Sequence, residues 1–233
     1  MKNILVLVLI AVCLAIPKAC RQTQAPAVAD TLISQPSTLI ILVNDNTRSD
    51  TFLHPDASTL ERLLFRYAPC GVQLLGCCVQ TDSYRQEGFF SHPIKLDTLP
   101  RHRNPVIRRS EAAVNRQRMA DALGQCRQTA LKAQTELFQP KTHGRSDVAN
   151  ALRWTNQVAH MPAYEHWQII VVLVSDLKQD ADENRLFEPI RPVRFPANTR
   201  IISIGADPAI DLSGLFPEQD VTELPNFQLL STL

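Results

Sequence analysis

The chain has almost no net charge, no long apolar run after its first 16 residues, and none of the cysteine, histidine or glycine patterns that mark common catalytic and metal sites. Each absence removes a class of function. With 24 basic against 23 acidic side chains, and 22 against 23 once Lys2 and Lys18 of the leader are set aside, there is no basic excess of the kind that phosphate binding draws on. Nucleic acid is therefore not expected as a partner. The six histidines, at 54, 92, 102, 143, 160 and 166, lack the i, i+4 spacing that puts two on one helical face, and read as surface or loop residues. Past the leader, Cys70, Cys77, Cys78 and Cys126 match no zinc spacing. Cys77 and Cys78 are neighbours on an expected strand, so their side chains point to opposite faces and cannot share one simple site. Buried thiols are the expectation, with a disulfide involving Cys70 or Cys126 open in an oxidising compartment. No Gly-x-Ser-x-Gly elbow, Gly-rich phosphate loop or His-Glu-x-x-His helix occurs, and no catalytic residues are expected.

What is present begins with an amino-terminal leader. Lys2 precedes an apolar run from Ile4 to Ile16 that is short for a bilayer span, so residues 1–19 are expected to be a cleaved secretory signal. Ala19-Cys20 resembles the end of a bacterial lipoprotein signal, in which Cys20 becomes the lipidated first residue; a plain cut near Ala19 is the alternative. Residues 20–37 lack apolar periodicity and are expected to form a flexible tether. The remaining stretch, 38–233, has the length of one domain with a full core. The expected location is a bacterial cell envelope, either periplasmic or held at the membrane by the amino-terminal lipid.

Strands and helices alternate along that stretch. Thr38–Val43 is a continuous apolar run, as in a strand covered on both faces. Ser58-Thr59-Leu60-Glu61 has a capping-box pattern, followed by Leu60, Leu63, Leu64 and Tyr67 at helical spacing. Val72–Val79 supplies a second strand, interrupted by Gln73 and Gly76. Residues 80–110, broken by prolines 93, 100 and 105, are expected to be irregular, with a short strand or hairpin near Phe89-Phe90. Glu111–Phe138 predicts one long helix, or two joined near Gly124, with Met119, Ala122, Leu123, Cys126, Ala130 and Leu137 as its apolar stripe. Ser146 is placed to cap a helix whose core face is Val148, Ala151, Leu152 and Thr155. Gln168–Val174 is the strongest strand, Arg200–Gly205 a further one, and the tail from Val221 a last helix or edge segment. This alternation predicts an α/β fold: a doubly wound, mostly parallel sheet with helices on both faces.

In such sheets ligands bind beyond the carboxyl ends of the strands, and three groups of oxygen donors fall there. Asp45, Thr47 and Ser49 follow the first strand, Ser146 lies in the loop Thr142-His143-Gly144-Arg145-Ser146, and Asp176 follows the strongest strand. Carboxylates and hydroxyls are hard ligands that suit Mg²⁺ or Mn²⁺.

On these residues the chain resembles the von Willebrand factor A domain family, whose metal-ion-dependent adhesion site uses Asp-x-Ser-x-Ser, a distant Thr and a distant Asp. Asp45-x-Thr47-x-Ser49 matches the first motif with Thr for its first Ser, Ser146 stands for the Thr, and Asp176 for the last Asp. The resemblance implies that Thr47 and Ser49 bind the metal directly and that Asp45 and Asp176 act largely through water. Ser146 binds directly or through water. A site built on hydroxyls leaves Mg²⁺ under-neutralised, so an acidic side chain of a partner protein can fill the open position. Were metal affinity lost through the departures from the family, Arg145 or Arg48 would be placed to hold the acidic partner directly.

The sequence departs from the family in the Ser at 146, in the positive Arg145, and in Leu177, which stands where the family usually has Gly after the last Asp. A metal-free scaffold of the same fold in an envelope or secretion complex, and a small-anion-binding protein, are the competing readings. Asp45 and Asp176 also have a plainer role open to them as strand ends that accept backbone hydrogen bonds. Haloacid dehalogenase phosphatases need a second Asp two residues after the nucleophile, where this chain has Thr47. Arg101, Arg103, Arg108 and Arg109 form a basic cluster suited to an anionic lipid surface, a cell-wall polymer or an acidic partner, or simply to solvent. Asp176, Asp180, Asp182 and Glu183 lack the Gly and terminal Glu of a calcium loop.

Overall fold

The apolar run after the tether forms β1 (Thr38–Asp45), and all eight of its residues are buried. The computed structural model describes residues 35–45, 56–79, 83, 88–100, 102–138, 146–179 and 190–232. The expected signal segment, Cys20 and most of the expected tether lie outside the described residues, as do Thr47, Arg48, Ser49 and Arg145. Gln35–Leu233 form one compact unit. Among the described residues no helix is long and apolar enough to cross a membrane.

β1 lies between β2 (Val72–Val79) and β4 (Gln168–Val174) and pairs in parallel with both. β3 (Phe89–Phe90) is a short antiparallel edge beside β2; β5 (Thr199–Ile204) and β6 (Asp220–Leu224) extend the sheet in parallel beyond β4. The order is β3-β2-β1-β4-β5-β6. Alternate residues of each central strand enter two separate cores. Ile40, Leu42, Leu74, Ile170 and Val172 pack with α1 (Ala57–Tyr67) and α2 (Pro105–Leu137) on one face. Leu39, Ile41, Leu75, Ile169 and Val171 pack with α3 (Val148–Ala159) and α4 (Leu212–Leu215) on the other. The fold is thus the α/β doubly wound, mostly parallel sheet with helices on both faces that the alternation predicts. The tail supplies both the edge strand β6 and a 3₁₀ turn over Phe227–Thr232.

The cysteines divide as strand geometry requires: Cys77 lies in one core and Cys78 in the other. All four described thiols, Cys70 and Cys126 among them, are free in the structure. Burial, and then the charge of Glu61, push the Cys126 thiol up to about 11, which keeps it protonated and inert.

Several boundaries differ from the sequence expectation. The cap of α1 is Asp56, not Ser58: Asp56 accepts from the Thr59 backbone N–H at 2.7 Å and the Thr59 hydroxyl at 2.8 Å, while Ser58 donates to Asp56 from within the first turn. A carboxylate two residues upstream satisfies the orphan N–H first. The irregular stretch assigned to 80–110 ends earlier, because Pro105 sits at the first helical position with Asn104 as cap. A proline there loses no helical hydrogen bond, so it opens the helix instead of breaking it. α2 then runs unbroken through Gly124 for 33 residues. Its buried residues are Ala122, Cys126, Ala130, Ala133 and Leu137, while Met119 and Leu123 of the expected stripe are 47% and 41% exposed. Small residues on the buried stripe let the helix sit close to α1 and the sheet. Gly76, in β2, serves the same contact, since the Cβ it lacks would stand 2.5 Å from Leu137.

The Asp56 cap yields a pH-dependent prediction. Burial would raise the carboxyl pKa, but the hydrogen bonds from Ser58 and Thr59 outweigh it and hold the group below its ordinary value. A pKa lower in the folded than in the unfolded state contributes stability at neutral pH that is lost as pH falls through the folded value. Asp56→Ala is expected to cost about 1 kcal/mol in denaturant melts at pH 7. The gap from the unsubstituted chain should narrow as pH drops below about 4; a gap that widens in acid would contradict the cap assignment.

Candidate functional site

The strand order turns at β1: the chain moves from β1 to β2 on one side and later returns to place β4 on the other. At such a reversal the helices after neighbouring strands lie on opposite faces and leave a crevice at the carboxyl ends. The last residue of β1 is Asp45, and the residues just past β4 are Ser175 and Asp176. Parallel pairing of Asn44 with Val174 sets Asp45 beside Ser175. The Ser175 hydroxyl donates to Asp45 Oδ2 at 2.9 Å in a buried contact, with Asp45 4% and Ser175 1% exposed. A carboxyl group this deep needs hydrogen-bond partners, and Ser175 supplies one.

The turn after β4 is equally fixed. Ser175 Oγ accepts from the Leu177 backbone N–H at 2.9 Å, and Asp176 Oδ1 accepts from the Lys178 N–H at 2.9 Å. Asp176 is partly exposed, and its carbonyl accepts from the Asp207 N–H at 3.0 Å. The Lys178 ammonium pairs with the Asp207 carboxylate, and that bond holds Asp207 below the ordinary carboxylate range. Between Asp176 and Lys178, Leu177 adopts φ +58°, in the left-handed region, with its side chain 1% exposed in the second core.

The third segment is the start of α3. Asp147, not the expected Ser146, caps the helix, accepting from the Asn150 backbone N–H at 3.3 Å and its side-chain amide at 2.8 Å. Asp147 also accepts from the Ser83 N–H at 3.3 Å and from Gln179 Nε2 at 3.4 Å, while Gln179 Oε1 accepts from the Ala149 N–H at 3.1 Å. The turn carrying Asp176 is thereby tied to the helix start carrying Ser146, whose side chain is 1% exposed.

Of the sequence-predicted residues, the fold sets Asp45 beside the Ser175-Asp176 turn and ties that turn to the segment of Ser146. Thr47, Ser49, Arg48 and Arg145 lie outside the described residues. Two contributors went unrecognised in the sequence: Ser175 and Gln179. The signal for Ser175 was available, since a hydroxyl directly before the carboxylate at a strand end faces the tip of the neighbouring strand. Gln179 gave none, because its role depends on where α3 begins. Among the described residues no three His, Cys, Asp or Glu side chains gather as a metal cluster. A cation held here would rest on carboxylates together with hydroxyls, a donor set that fits a hard divalent ion.

No protein-family model and no curated protein matches the chain. Among solved structures it is similar to proximal thread matrix protein 1 from the mussel byssus, at 14% identity and a TM-score of 0.43. The alignment covers 85% of this chain and 46% of that one, so this chain spans under half its length.

The Leu177 backbone makes a sharp prediction. An L-residue in the left-handed region is disfavoured by about 1–2 kcal/mol, against roughly 2–5 kcal/mol for the burial lost on truncating a core Leu. The burial wins, which is why Leu is tolerated. Leu177→Ala is expected to destabilise by about 2–5 kcal/mol, and Leu177→Gly by about 1 kcal/mol less than Ala. Glycine is normally the worse of the two; a Gly variant melting at or below the Ala variant would refute this account of the turn.

Proposed function

We propose that this chain carries an extracytoplasmic, von Willebrand factor A-like domain that binds another protein through a Mg²⁺-dependent adhesion site. The observation that carries the reading is the pairing of Asp45 with Ser175 at the point where the sheet order reverses, directly before Asp176. The left-handed Leu177 supports it, for the backbone keeps a glycine-like conformation at the position where the resembled family usually has Gly. In this reading Asp45 and Asp176 supply charge, Thr47, Ser49 and Ser146 supply neutral oxygens, and Mg²⁺ or Mn²⁺ supplies a Lewis-acidic position for a partner's Glu or Asp. Two carboxylates among hydroxyls leave that position electropositive, which favours capturing a carboxylate over performing chemistry. Arg48 and Arg145 add positive charge for the same acidic group. A lipid on Cys20 would hold the domain at the bacterial envelope.

Thermal melting of residues 35–233, which hold both cores, tests this. Mg²⁺ or Mn²⁺ at a hundredfold excess over its dissociation constant stabilises by about 2.7 kcal/mol, which for a chain of this size raises the Tm by roughly 5–10 °C. Asp45→Ala and Asp176→Asn are each expected to abolish the response. Indifference of the unsubstituted domain to both ions would favour the metal-free scaffold; stabilisation by small anions in their place would favour the anion-binding reading.

A further inference from the structure

α2 is two different helices in one. From Ala122 to Leu137 it packs into the first core, but from Pro105 to Asp121 none of its residues is buried. At 1.5 Å per residue that half is an arm about 25 Å long. It is braced by the segment before it: Asn115 exchanges hydrogen bonds with the Leu99 backbone at 2.7 and 3.1 Å, Arg118 donates to the Asp97 carbonyl at 2.8 Å, and Glu111 accepts from the His102 N–H at 2.8 Å. The arm is thus held in place without being covered.

Its composition is unlike the rest of the molecule. Residues 101–127 contain seven arginines and two acidic residues, which leaves 17 basic against 21 acidic side chains elsewhere. No ion pair neutralises Arg103, Arg108, Arg109 or Arg116 among the described residues. At 3.6 residues per turn, Val106, Ile107, Ala113 and Val114 share one side of the arm, facing away from the stripe that enters the core further along. Val106 is 74% exposed, and Ile107 and Val114 are each 41% exposed. Arg109 and Arg116 lie together along one edge of this apolar strip and Arg118, held by the Asp97 carbonyl, along the other, with Arg108 on the far side.

From this arrangement we infer that the amino-terminal half of α2 is a docking element for an anionic lipid bilayer, lying in the surface with its apolar strip inward and the arginines along its open edge, Arg109 and Arg116, on the headgroup phosphates. A strip of apolar side chains edged by arginines is the pattern of an interfacial helix, and arginine matches phosphate with two parallel hydrogen bonds. The strip runs along one exposed helix, which can lie along a planar, deformable layer, whereas an acidic protein would have to supply a groove for it. A lipid on Cys20, as the lipoprotein-like leader suggests, would keep the arm near a membrane. The inference is independent of the cation reading.

The test is co-sedimentation of residues 35–233 with vesicles of phosphatidylcholine, with and without phosphatidylglycerol. Binding is expected only to the anionic vesicles at about 0.15 M salt, and is expected to vanish at 1 M, where the Debye length is about 3 Å. Arg109→Glu/Arg116→Glu should weaken partition by about tenfold or more. Ile107→Asp/Val114→Asp should weaken it while keeping every arginine. All four positions are exposed, so circular dichroism and melting should match the unsubstituted domain. No binding to anionic vesicles would overturn the inference, as would equal binding to neutral ones or binding to poly-glutamate in place of lipid.

Discussion

The structure depends on the complete burial of β1. Its five central residues, Leu39 to Val43, are at most 2% exposed, and each contributes about 1.5–3 kcal/mol by leaving water. A strand covered on both faces must have partners on both edges, because its backbone groups have no water to turn to. β2 and β4 supply them in parallel, and that choice fixes the remainder. Parallel neighbours require crossovers, the crossovers put helices on both faces, and the strand order reverses at β1, whose carboxyl end is where the strand turns polar. Asp45 stands at that end because a carboxylate is tolerated only where the apolar run stops and a neighbouring hydroxyl can bond to it.

The candidate site follows from this geometry rather than adding to it. Three backbone segments meet near the tip of β1, each fixed by its own local bonds: Ser175 to Asp45, the Leu177 turn to Ser175, and Gln179 to the start of α3. Leu177 shows how firmly the turn is set, since burial in the second core outweighs an unfavourable backbone angle. On the proposed reading, these bonds form a frame for hard oxygen donors that a divalent ion would complete.

The strands were legible because their signal is long and apolar: β2 and β4 match the expected Val72–Val79 and Gln168–Val174 in full. The division of Cys77 and Cys78 between two cores followed from strand geometry alone. Caps were misread by one or two residues, at Asp56 and Asp147, because neighbouring Asp and Ser residues compete for the same N–H groups and only the three-dimensional turn decides. The reach of α2 was misread because a stripe drawn from periodicity assumes something to pack against, and Met119 lies beyond the edge of the body. Asp45 and Asp176 were recognisable as strand-end carboxylates, whereas Gln179 was invisible until the start of α3 was fixed. The arm's arginines were visible as a cluster in the sequence, but their relation to Val106, Ile107 and Val114 needed the helix to begin at Pro105.

The two proposed surfaces rest on different physics. One is a recessed set of oxygens at the sheet rim, the other an exposed basic helix, and neither requires the other. The proposed cation site is tested most directly by crystals of the domain grown with Mn²⁺, with anomalous diffraction recorded to locate the ion. The account predicts one ion at the carboxyl ends of β1 and β4, in the vicinity of Asp45, Ser146 and Asp176. An ion bound elsewhere, or none in crystals where Asp45 keeps its bond to Ser175, would contradict it.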